Sequence, residues 1–222
     1  MRKLYYDPIS TVSRPVVMFL AEHPLEIELV HVELNRGAQL TDWYSAVNPN
    51  QLVPTLEEDG FRLTESAAIL RYLAAQAESP AYPAELRARA RVDEALDWFN
   101  TNLYRDLGYG VVYPQLLDHM RVDDAQLAAL RDWHEGRARK SLQVLDRHMI
   151  GEREFVAGDR FSIADMFGSA IVMLAELIDF DLESYPNVCR WLDRVKRRPS
   201  WAKANSGYEA LVMTLKAGSQ AA

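Results

Sequence analysis

Residues 48–73 read NPNQLVPTLEEDGFRLTESAAILRYL, and this stretch carries the strongest indication of the fold. Val53–Leu56 and Phe61–Thr64 are short, largely apolar runs on either side of the turn residues Asp59-Gly60, a pattern that predicts two strands joined in a hairpin. Ser66–Ala77 then carries apolar residues at helical spacing. The stretch therefore predicts a strand-strand-helix unit.

The segment before this unit alternates between the period of a strand and the period of a helix. Lys3–Tyr6 is short and aromatic, and Glu28–Leu34 alternates polar with apolar residues, so both predict strands. Ser10–His23 has one apolar face, and Thr41–Val47 opens with a hydroxyl that can cap a helix, so both predict helices. The predicted order is β-α-β-α-β-β-α.

The segment after the unit has a different character. Residues 79–84 contain two prolines and no periodicity, which indicates a linker. Helical patterns then follow one another over Glu85–Leu107, Val111–Met120, Asp124–Met149, Ser162–Leu177 and Val188–Arg197. The predicted fold class is α/β plus all-α: an α/β domain over 1–78, a linker over 79–84 and an α-helical bundle over 85–222.

Composition and charge exclude several classes of protein. The 222 residues carry 32 acidic and 25 basic side chains, a formal charge of −7, and an acidic chain repels the phosphate backbone of nucleic acids. No apolar run reaches the ~20 residues of a membrane span, and the N-terminus lacks the apolar core of a signal peptide. Cys189 is the single cysteine, which suits a reducing compartment, and no metal-ligand spacing occurs. We expect a cytoplasmic protein with no nucleic-acid or membrane partner and no metal.

Val53-Pro54 is an unusual pair for a strand, because proline has no N–H to donate within a sheet. A cis bond between the two residues leaves the N–H and C=O of Val53 unpaired, and both groups can then pair with an extended peptide. The alternative is a trans proline at the start of an edge strand, which the dipeptide by itself favours because cis bonds are uncommon.

Glu65-Ser66 is a second candidate binding element. Ser66 begins a predicted helix, where free N–H groups and the positive end of the helix dipole attract a carboxylate, while the Glu65 carboxylate can bind an ammonium group. The pair therefore suits both charged groups of an amino acid. The alternative is that Ser66 only caps the helix and Glu65 only complements its dipole.

Taken together, these features resemble the glutathione S-transferase family over nearly the whole chain. The resemblance rests on the order of elements, Val53-Pro54, Glu65–Leu73, the linker and the helical second half. Phe161–Asp165 also resembles the family's folding motif, with Ser162 and Asp165 spaced as a capping box. The resemblance implies a thioredoxin-like first domain, a homodimer, and glutathione as a cosubstrate with no tightly bound cofactor.

The residue that activates the thiol must donate a hydrogen bond to its sulfur, because a free thiol with a pKa of about 8.5 is mostly protonated at neutral pH. The chain looks like the serine-type theta- and delta-like members in a bacterial style, whose serine precedes an arginine by four residues. Ser10 precedes Arg14 by four, so the resemblance implies that Ser10 is catalytic. Thr11 and then Ser13 are further candidates, Tyr6 is a weaker one, and the alternative for Ser10 is a helix cap.

The resemblance also implies which residues bind glutathione. The Val-Pro segment is implied to hold the cysteinyl backbone, and the Glu-Ser pair the γ-glutamyl end. Two glutamines stand where delta-like members have histidines, and Asn100 stands near the place of an acid that reaches across the dimer in theta-like members. The implied glutathione-binding residues are Gln39, Gln51, Leu52, Val53, Pro54, Glu65 and Ser66.

The electrophile is expected between Ile9 and the helices of the second domain, where Tyr104, Tyr109 and Tyr113 occur. Spacing also allows each tyrosine to be a core residue. The predicted reaction is attack of the glutathione thiolate on a hydrophobic electrophile, by addition or by displacement of a leaving group such as halide. Two alternatives stay open: a non-catalytic protein that binds glutathione or hydrophobic ligands, and a glutathione-dependent peroxidase or disulfide reductase.

Overall fold

The computed structural model describes residues 1–117, 120, 124–178 and 180–220. They form two compact units: the first contains Met1–Tyr82 and the segment from Arg198 onward, and the second contains Pro83–Arg197. The helices in chain order are α1 (Arg14–Glu22), α2 (Asp42–Ser45), α3 (Ser66–Gln76), α4 (Leu86–Trp98), α5 (Tyr113–Leu116), α6 (Asp124–Val144), α7 (Ile163–Val172), α8 (Pro186–Lys196) and α9 (Pro199–Gln220). Short 3₁₀ helices lie at Leu34–Arg36, Ala38–Leu40 and Met173–Leu177, and π-helical segments lie at Phe99–Val112 and Leu145–Ile150.

The first unit contains a four-stranded mixed sheet. Its strands are β1 (Arg2–Tyr6), β2 (Glu28–His31), β3 (Thr55–Glu58) and β4 (Phe61–Leu63), in the spatial order β2-β1-β3-β4. β1 is parallel to β2 and antiparallel to β3, and β3 is antiparallel to β4. With α1, α2 and α3 interleaved, this is the predicted β-α-β-α-β-β-α order, and the thioredoxin-like fold is confirmed.

The apolar positions read from the sequence form the core of this unit. Leu4 and Leu56 pair on neighbouring strands and are fully buried, as are Val16 and Phe19 of α1 and Ile69 of α3. Burial of such side chains is the main favourable term in folding. The apolar positions of β1, β3, α1 and α3 therefore face the core, whereas β2 and β4 are largely exposed.

The first helix and the second strand have bounds that differ from the predicted ones in an informative way. α1 begins at Arg14 rather than at Ser10, because the residues from Ser10 to Ser13 form turns, with the Ser10 N–H donating to the Asp7 carbonyl over 3.1 Å. The strand predicted to reach Leu34 ends at His31, since the chain then turns into a 3₁₀ helix.

The sequence patterns do not predict α9, which belongs to the first unit. Its start is bonded to the end of α1 through Arg198 and Glu22, and its middle is bonded to the start of α1 through Asn205 and Arg14. These long-range bonds join α9 to the first unit, whereas the sequence analysis includes this segment in the helical domain over 85–222.

The second unit is helical, as predicted, and its folding motif has the expected geometry. The side chain of Ser162 and that of Asp165 form a capping box at the start of α7. The Asp165 carboxylate, fully buried, also accepts hydrogen bonds from the Val156 N–H (2.9 Å) and the Trp191 indole N–H (2.8 Å). One carboxylate thus organises a helix start, a loop and α8.

Among the helices that the structure describes, none has the length and apolar character needed to cross a membrane.

Candidate functional site

Four loops of the first unit meet at one end of the sheet. Tyr5 pairs with Thr55 and Leu56 pairs with Leu63, so the start of antiparallel β3 lies beside the ends of β1 and β4. β2 runs parallel to β1 and ends at the same side. We call this side the loop end of the sheet. Its loops carry the predicted site residues Ile9, Ser10, Gln39, Gln51, Leu52, Val53, Pro54, Glu65 and Ser66.

Asp7 organises the loop that follows β1. Its side chain is 3% exposed, and its two carboxylate oxygens accept hydrogen bonds from the Ile9 N–H (2.8 Å) and the Leu34 N–H (3.0 Å). His31 adds a longer contact of 3.4 Å. Asp7 therefore joins the loop after β1 to the loop after β2. Sequence reasoning missed this role, although Asp-Pro after a strand is a signal for an Asx turn.

Ser10 is the most accessible of the three hydroxyl candidates in this loop. It is half-buried, whereas Thr11 is 6% exposed and Ser13 is fully buried. The Ser13 N–H donates to the Ser10 hydroxyl oxygen over 3.3 Å and to the Ser10 carbonyl over 3.2 Å. Because the Ser10 oxygen accepts this bond, its O–H can donate to a group outside the loop.

The Tyr6 side chain lies at the end of β1 and packs on His31, with ring centroids 6.0 Å apart. Tyr6 thus makes a packing contact of the kind that is usual for a tyrosine in a strand.

The segment before β3 presents the backbone of Val53. The Val53–Pro54 bond is cis. This is the form that, in the sequence analysis, leaves the N–H and C=O of Val53 unpaired. Neither the N–H nor the C=O of Val53 has a hydrogen-bond partner among the residues that the structure describes. Tyr44 and Asn48 hold the preceding carbonyl, that of Leu52, with two hydrogen bonds of 2.7 Å. These two supporting residues were not found from the sequence.

The Glu65-Ser66 pair has a strained backbone. Glu65 is an exposed residue with φ of 64° and ψ of 108°, and its side chain makes no capping hydrogen bond to α3. Such a conformation costs a non-glycine residue on the order of 1–3 kcal/mol, and strain of this kind concentrates at binding sites. Ser66 is 7% exposed at the first position of α3, where free N–H groups point out of the helix.

The two glutamines differ in their surroundings. The side-chain oxygen of Gln39 is buried and has no hydrogen-bond partner among the described residues. Gln51, with φ of 56°, donates from its side-chain amide to the Ser45 hydroxyl over 2.9 Å. The unused group of Gln39 is therefore an acceptor oxygen, while the side-chain N–H group of Gln51 already donates one bond.

The second unit holds the predicted tyrosines in one cluster. The hydroxyls of Tyr104 and Tyr113 are 2.8 Å apart, and the Tyr109 ring lies 5.1 Å from that of Tyr104 and 5.3 Å from that of Tyr113. Tyr104 is 7% exposed and Tyr109 is 47% exposed. Burial raises the pKa of Tyr104 well above its usual value, so its hydroxyl is a neutral donor. Within this cluster Tyr104 is a core residue and Tyr109 lies at the surface.

Asn100 is exposed in the π-helical segment that follows α4. Cys189 is half-buried on α8, its Sγ lies 3.1 Å from the Leu182 carbonyl, and burial raises the pKa of its thiol. A neutral thiol is a poor nucleophile. Within the described ranges, no group of His, Cys, Asp and Glu side chains is arranged to hold a metal ion.

The comparisons with known proteins identify the family. Residues 4–81 match the model "Glutathione S-transferase, N-terminal domain" and residues 111–199 match "Glutathione S-transferase, C-terminal domain". Mouse glutathione S-transferase theta-1 is 33% identical over 203 residues, which cover 87% of this chain and 82% of the mouse protein. The chain belongs to the glutathione S-transferase family. The predicted resemblance is therefore confirmed, and so is the prediction of a transferase enzyme.

Solved glutathione transferases agree with this assignment. A delta-class enzyme from Nilaparvata lugens has a TM-score of 0.84 at 29% identity, covering 98% of this chain and 99% of its own. Human glutathione transferase theta-2, solved in complex with glutathione and an unknown ligand, has a TM-score of 0.85 at 27% identity, covering 98% of this chain and 91% of its own. The theta and delta relatives are the classes that the sequence resembles, and glutathione is the cosubstrate of this family.

Proposed function

We propose that this glutathione S-transferase attaches the sulfur of glutathione to a hydrophobic electrophile, with Ser10 as the catalytic residue. The observation that carries the proposal is the half-buried Ser10 hydroxyl at the loop end of the sheet, whose oxygen accepts the Ser13 N–H. This bond leaves the Ser10 O–H available to donate to a bound thiolate. The buried Ser13 hydroxyl has no such access.

Glutathione is proposed to bind as an extended peptide along the same loops. The N–H and C=O of Val53, between Leu52 and Pro54, would pair with the cysteinyl backbone, because they have no partner among the described residues. The Glu65 carboxylate would bind the γ-glutamyl ammonium, and the first N–H groups of α3 at Ser66 would bind its carboxylate. Gln39 and Gln51 would donate to the glycyl carboxylate.

The thiol proton leaves to solvent as the thiolate forms, and the Ser10 hydroxyl stabilises the negative sulfur. Lowering a thiol pKa by about two units requires ~2.7 kcal/mol of preferential stabilisation of the thiolate. A hydrogen bond to a charged group contributes about 1.5–3 kcal/mol. One hydroxyl therefore supplies most of the effect.

The thiolate then attacks an electrophilic carbon and forms a C–S bond. In an addition, the π electrons of the acceptor move away from the attacked carbon and a proton is taken up. In a displacement such as dehalogenation, the leaving group departs with its electron pair. Ile9 and the cluster of Tyr104, Tyr109 and Tyr113 are proposed contacts of the electrophile, on the family resemblance.

We also propose that the enzyme is a cytoplasmic homodimer in which Asn100 contacts glutathione bound to the partner. The exposure of Asn100 supports this proposal. Analytical ultracentrifugation tests the assembly: the mass of two chains is expected, and a monomer mass would contradict it. Replacing Asn100 by Ala is then expected to weaken glutathione binding without altering the pKa of the bound thiol.

The deciding experiment compares Ser10→Ala with Ser13→Ala as the matched control. Ser10→Ala is expected to lower kcat/KM for an aryl halide by about 10²–10³-fold, as the loss of a transition-state donor does, with glutathione affinity nearly unchanged. Ser13→Ala is expected to behave as the wild type. Wild-type turnover in Ser10→Ala would remove Ser10 as the catalytic residue.

Substrate profiling tests the reaction itself. Turnover of alkyl or aryl electrophiles supports conjugation. Saturable glutathione binding without turnover of any electrophile would indicate a binding protein, and turnover limited to hydroperoxides or mixed disulfides would indicate a reductase. No saturable binding of glutathione at millimolar concentration would overturn the proposal as a whole.

A further inference from the structure

Arg14 joins the Ser10 loop to the C-terminal helix. It is the first residue of α1 and only 1% exposed, so its guanidinium charge is removed from water. A buried charge is tolerated when its partners are well placed, and misplacing it is costly. The partners of Arg14 therefore determine where the start of α1 lies.

Two of these partners belong to α9. The Arg14 Nη1 donates to the Asn205 side-chain oxygen over 2.6 Å, and its guanidinium carbon lies 3.7 Å from the centre of the Tyr208 ring. Asn205 and Tyr208 are themselves 2% and 1% exposed. The three side chains thus form a buried contact, which we call the α9 clamp, and it fixes the guanidinium from two directions.

The backbone of the same arginine is bonded to Ser10. The Arg14 N–H donates to the Ser10 carbonyl over 3.2 Å, beside the two bonds from the Ser13 N–H to Ser10. α9 also passes close to this loop at Gly207, where an added β-carbon would lie 3.7 Å from the β-carbon of Pro8. A displacement of Arg14 would therefore move the carbonyl and hydroxyl of Ser10 with it.

We infer that α9 positions Ser10 through Arg14, which makes Asn205 and Tyr208 positioning residues for the transferase reaction. The inference rests on the proposed role of Ser10. The clamp fixes the first turn of α1, and that turn aims the Ser10 O–H at the sulfur. A donor displaced by a fraction of an ångström stabilises the thiolate less, while the backbone contacts that bind glutathione at Val53 and Ser66 are unaffected.

The test compares Asn205→Leu with Asn205→Asp in the full-length enzyme. Both variants lose the hydrogen bond from the Asn205 amide to the Trp201 carbonyl, but only Asp keeps an oxygen that can accept from Arg14. The difference between the two therefore reports on the clamp. The bound thiol is titrated through the ultraviolet absorbance of its thiolate, and kcat is measured as a function of pH.

Asn205→Leu is expected to raise the pKa of the bound thiol by about one unit, which lowers kcat at neutral pH by up to about tenfold. KM for glutathione is expected to stay within about twofold, and the rate loss to diminish at alkaline pH. Asn205→Asp is expected to keep the wild-type thiol pKa and the wild-type dependence of kcat on pH. If Asn205→Leu does not fold, Asn205→Ala removes the same acceptor with a smaller side chain.

Glu22→Gln is the control for a general loosening of α9, because Glu22 bonds to Arg198 at the far end of α1. It is expected to lower stability while leaving the thiol pKa unchanged. An equal rise of the thiol pKa in Glu22→Gln, or an unchanged pKa in Asn205→Leu, would overturn the inference. The inference would also be overturned if Asn205→Leu kept the wild-type thiol pKa and pH dependence of kcat while Asn205→Asp changed them.

The double variant Ser10→Ala/Asn205→Leu separates this inference from the proposed function. If Ser10 is the group that α9 positions, Asn205→Leu causes no further rise of the thiol pKa once Ser10 is absent. A further rise would show that Arg14 acts on the sulfur independently and would overturn the positioning role. No effect of Ser10→Ala by itself would instead refute the proposed role of Ser10.

Discussion

The Glu22 carboxylate, at the end of α1, accepts hydrogen bonds from the Nε (2.6 Å) and Nη2 (2.9 Å) of Arg198, which lies 176 residues further along the chain. The Ser200 hydroxyl donates a third bond of 2.7 Å to the same carboxylate. The Glu22 side chain is 17% exposed and that of Arg198 is 33% exposed, so this ion pair is partly shielded from water. It ties the start of α9 to the thioredoxin-like unit.

We predict that Glu22→Gln lowers the free energy of unfolding by about 1–3 kcal/mol at neutral pH, because the partly buried Arg198 and the buried Ser200 lose their charged acceptor. Burial raises the pKa of Glu22, but the bonds from Arg198 and Ser200 outweigh it and hold the pKa below its usual value. The stabilisation is therefore present above the unfolded-state pKa and is lost as the pH falls through the folded-state pKa.

Urea unfolding of the wild type and of Glu22→Gln, at neutral and at acidic pH, measures the difference in their free energy of unfolding. Exposed Glu26→Gln is the control and should unfold as the wild type. A stability difference that persisted unchanged at acidic pH would contradict the ionic origin.

Asp165→Ala is expected to destabilise the helical unit by at least about 3 kcal/mol. The substitution leaves the N–H groups of Val156 and Ser162 and the indole N–H of Trp191 without their acceptor, and each unsatisfied buried donor costs about 1–3 kcal/mol. Denaturant unfolding checks the value, with exposed Asp159→Asn as the control. A loss below about 1 kcal/mol would show that the network contributes little.

Asp7→Ala is expected to lower kcat/KM by about 10- to 100-fold, since the loop that carries Ser10 loses its bonds from Ile9 and Leu34 to this carboxylate. Asp7→Asn keeps one acceptor oxygen and should show an intermediate loss. Steady-state kinetics with glutathione and an aryl halide measure both. Equal activities of the two variants would argue against loop positioning by the carboxylate.

Glu65→Gly is expected to separate stability from binding. Glycine adopts a φ of 64° without strain, so the variant should gain about 1 kcal/mol of stability, while loss of the carboxylate weakens glutathione binding by about tenfold. Glu78→Gly is the matched control, because Glu78 also has a positive φ of 47° but is not a site residue. Calorimetric titration should show unchanged glutathione affinity in Glu78→Gly; a similar loss in both variants would contradict a binding role for Glu65.

Local pattern was sufficient for most of the first unit. The strands and helices up to Gln76 follow from the period of their apolar residues, and the capping box follows from the three-residue spacing of Ser162 and Asp165. α9 was missed, because its sequence has only a weak apolar stripe and its fully buried neighbour, Arg14, is a charged residue that local rules place at the surface.

The sequence by itself determined the family, the order of elements, the lone cysteine and a short set of candidate hydroxyls, since each depends on residue type and local spacing. Only the tertiary structure separated those hydroxyls, by burying Ser13 and leaving Ser10 half-buried. It alone placed Asp7 against Leu34 and Arg14 against Asn205. The physical reason is that burial and the pairing of distant polar groups depend on which segments pack together, and no local pattern encodes that.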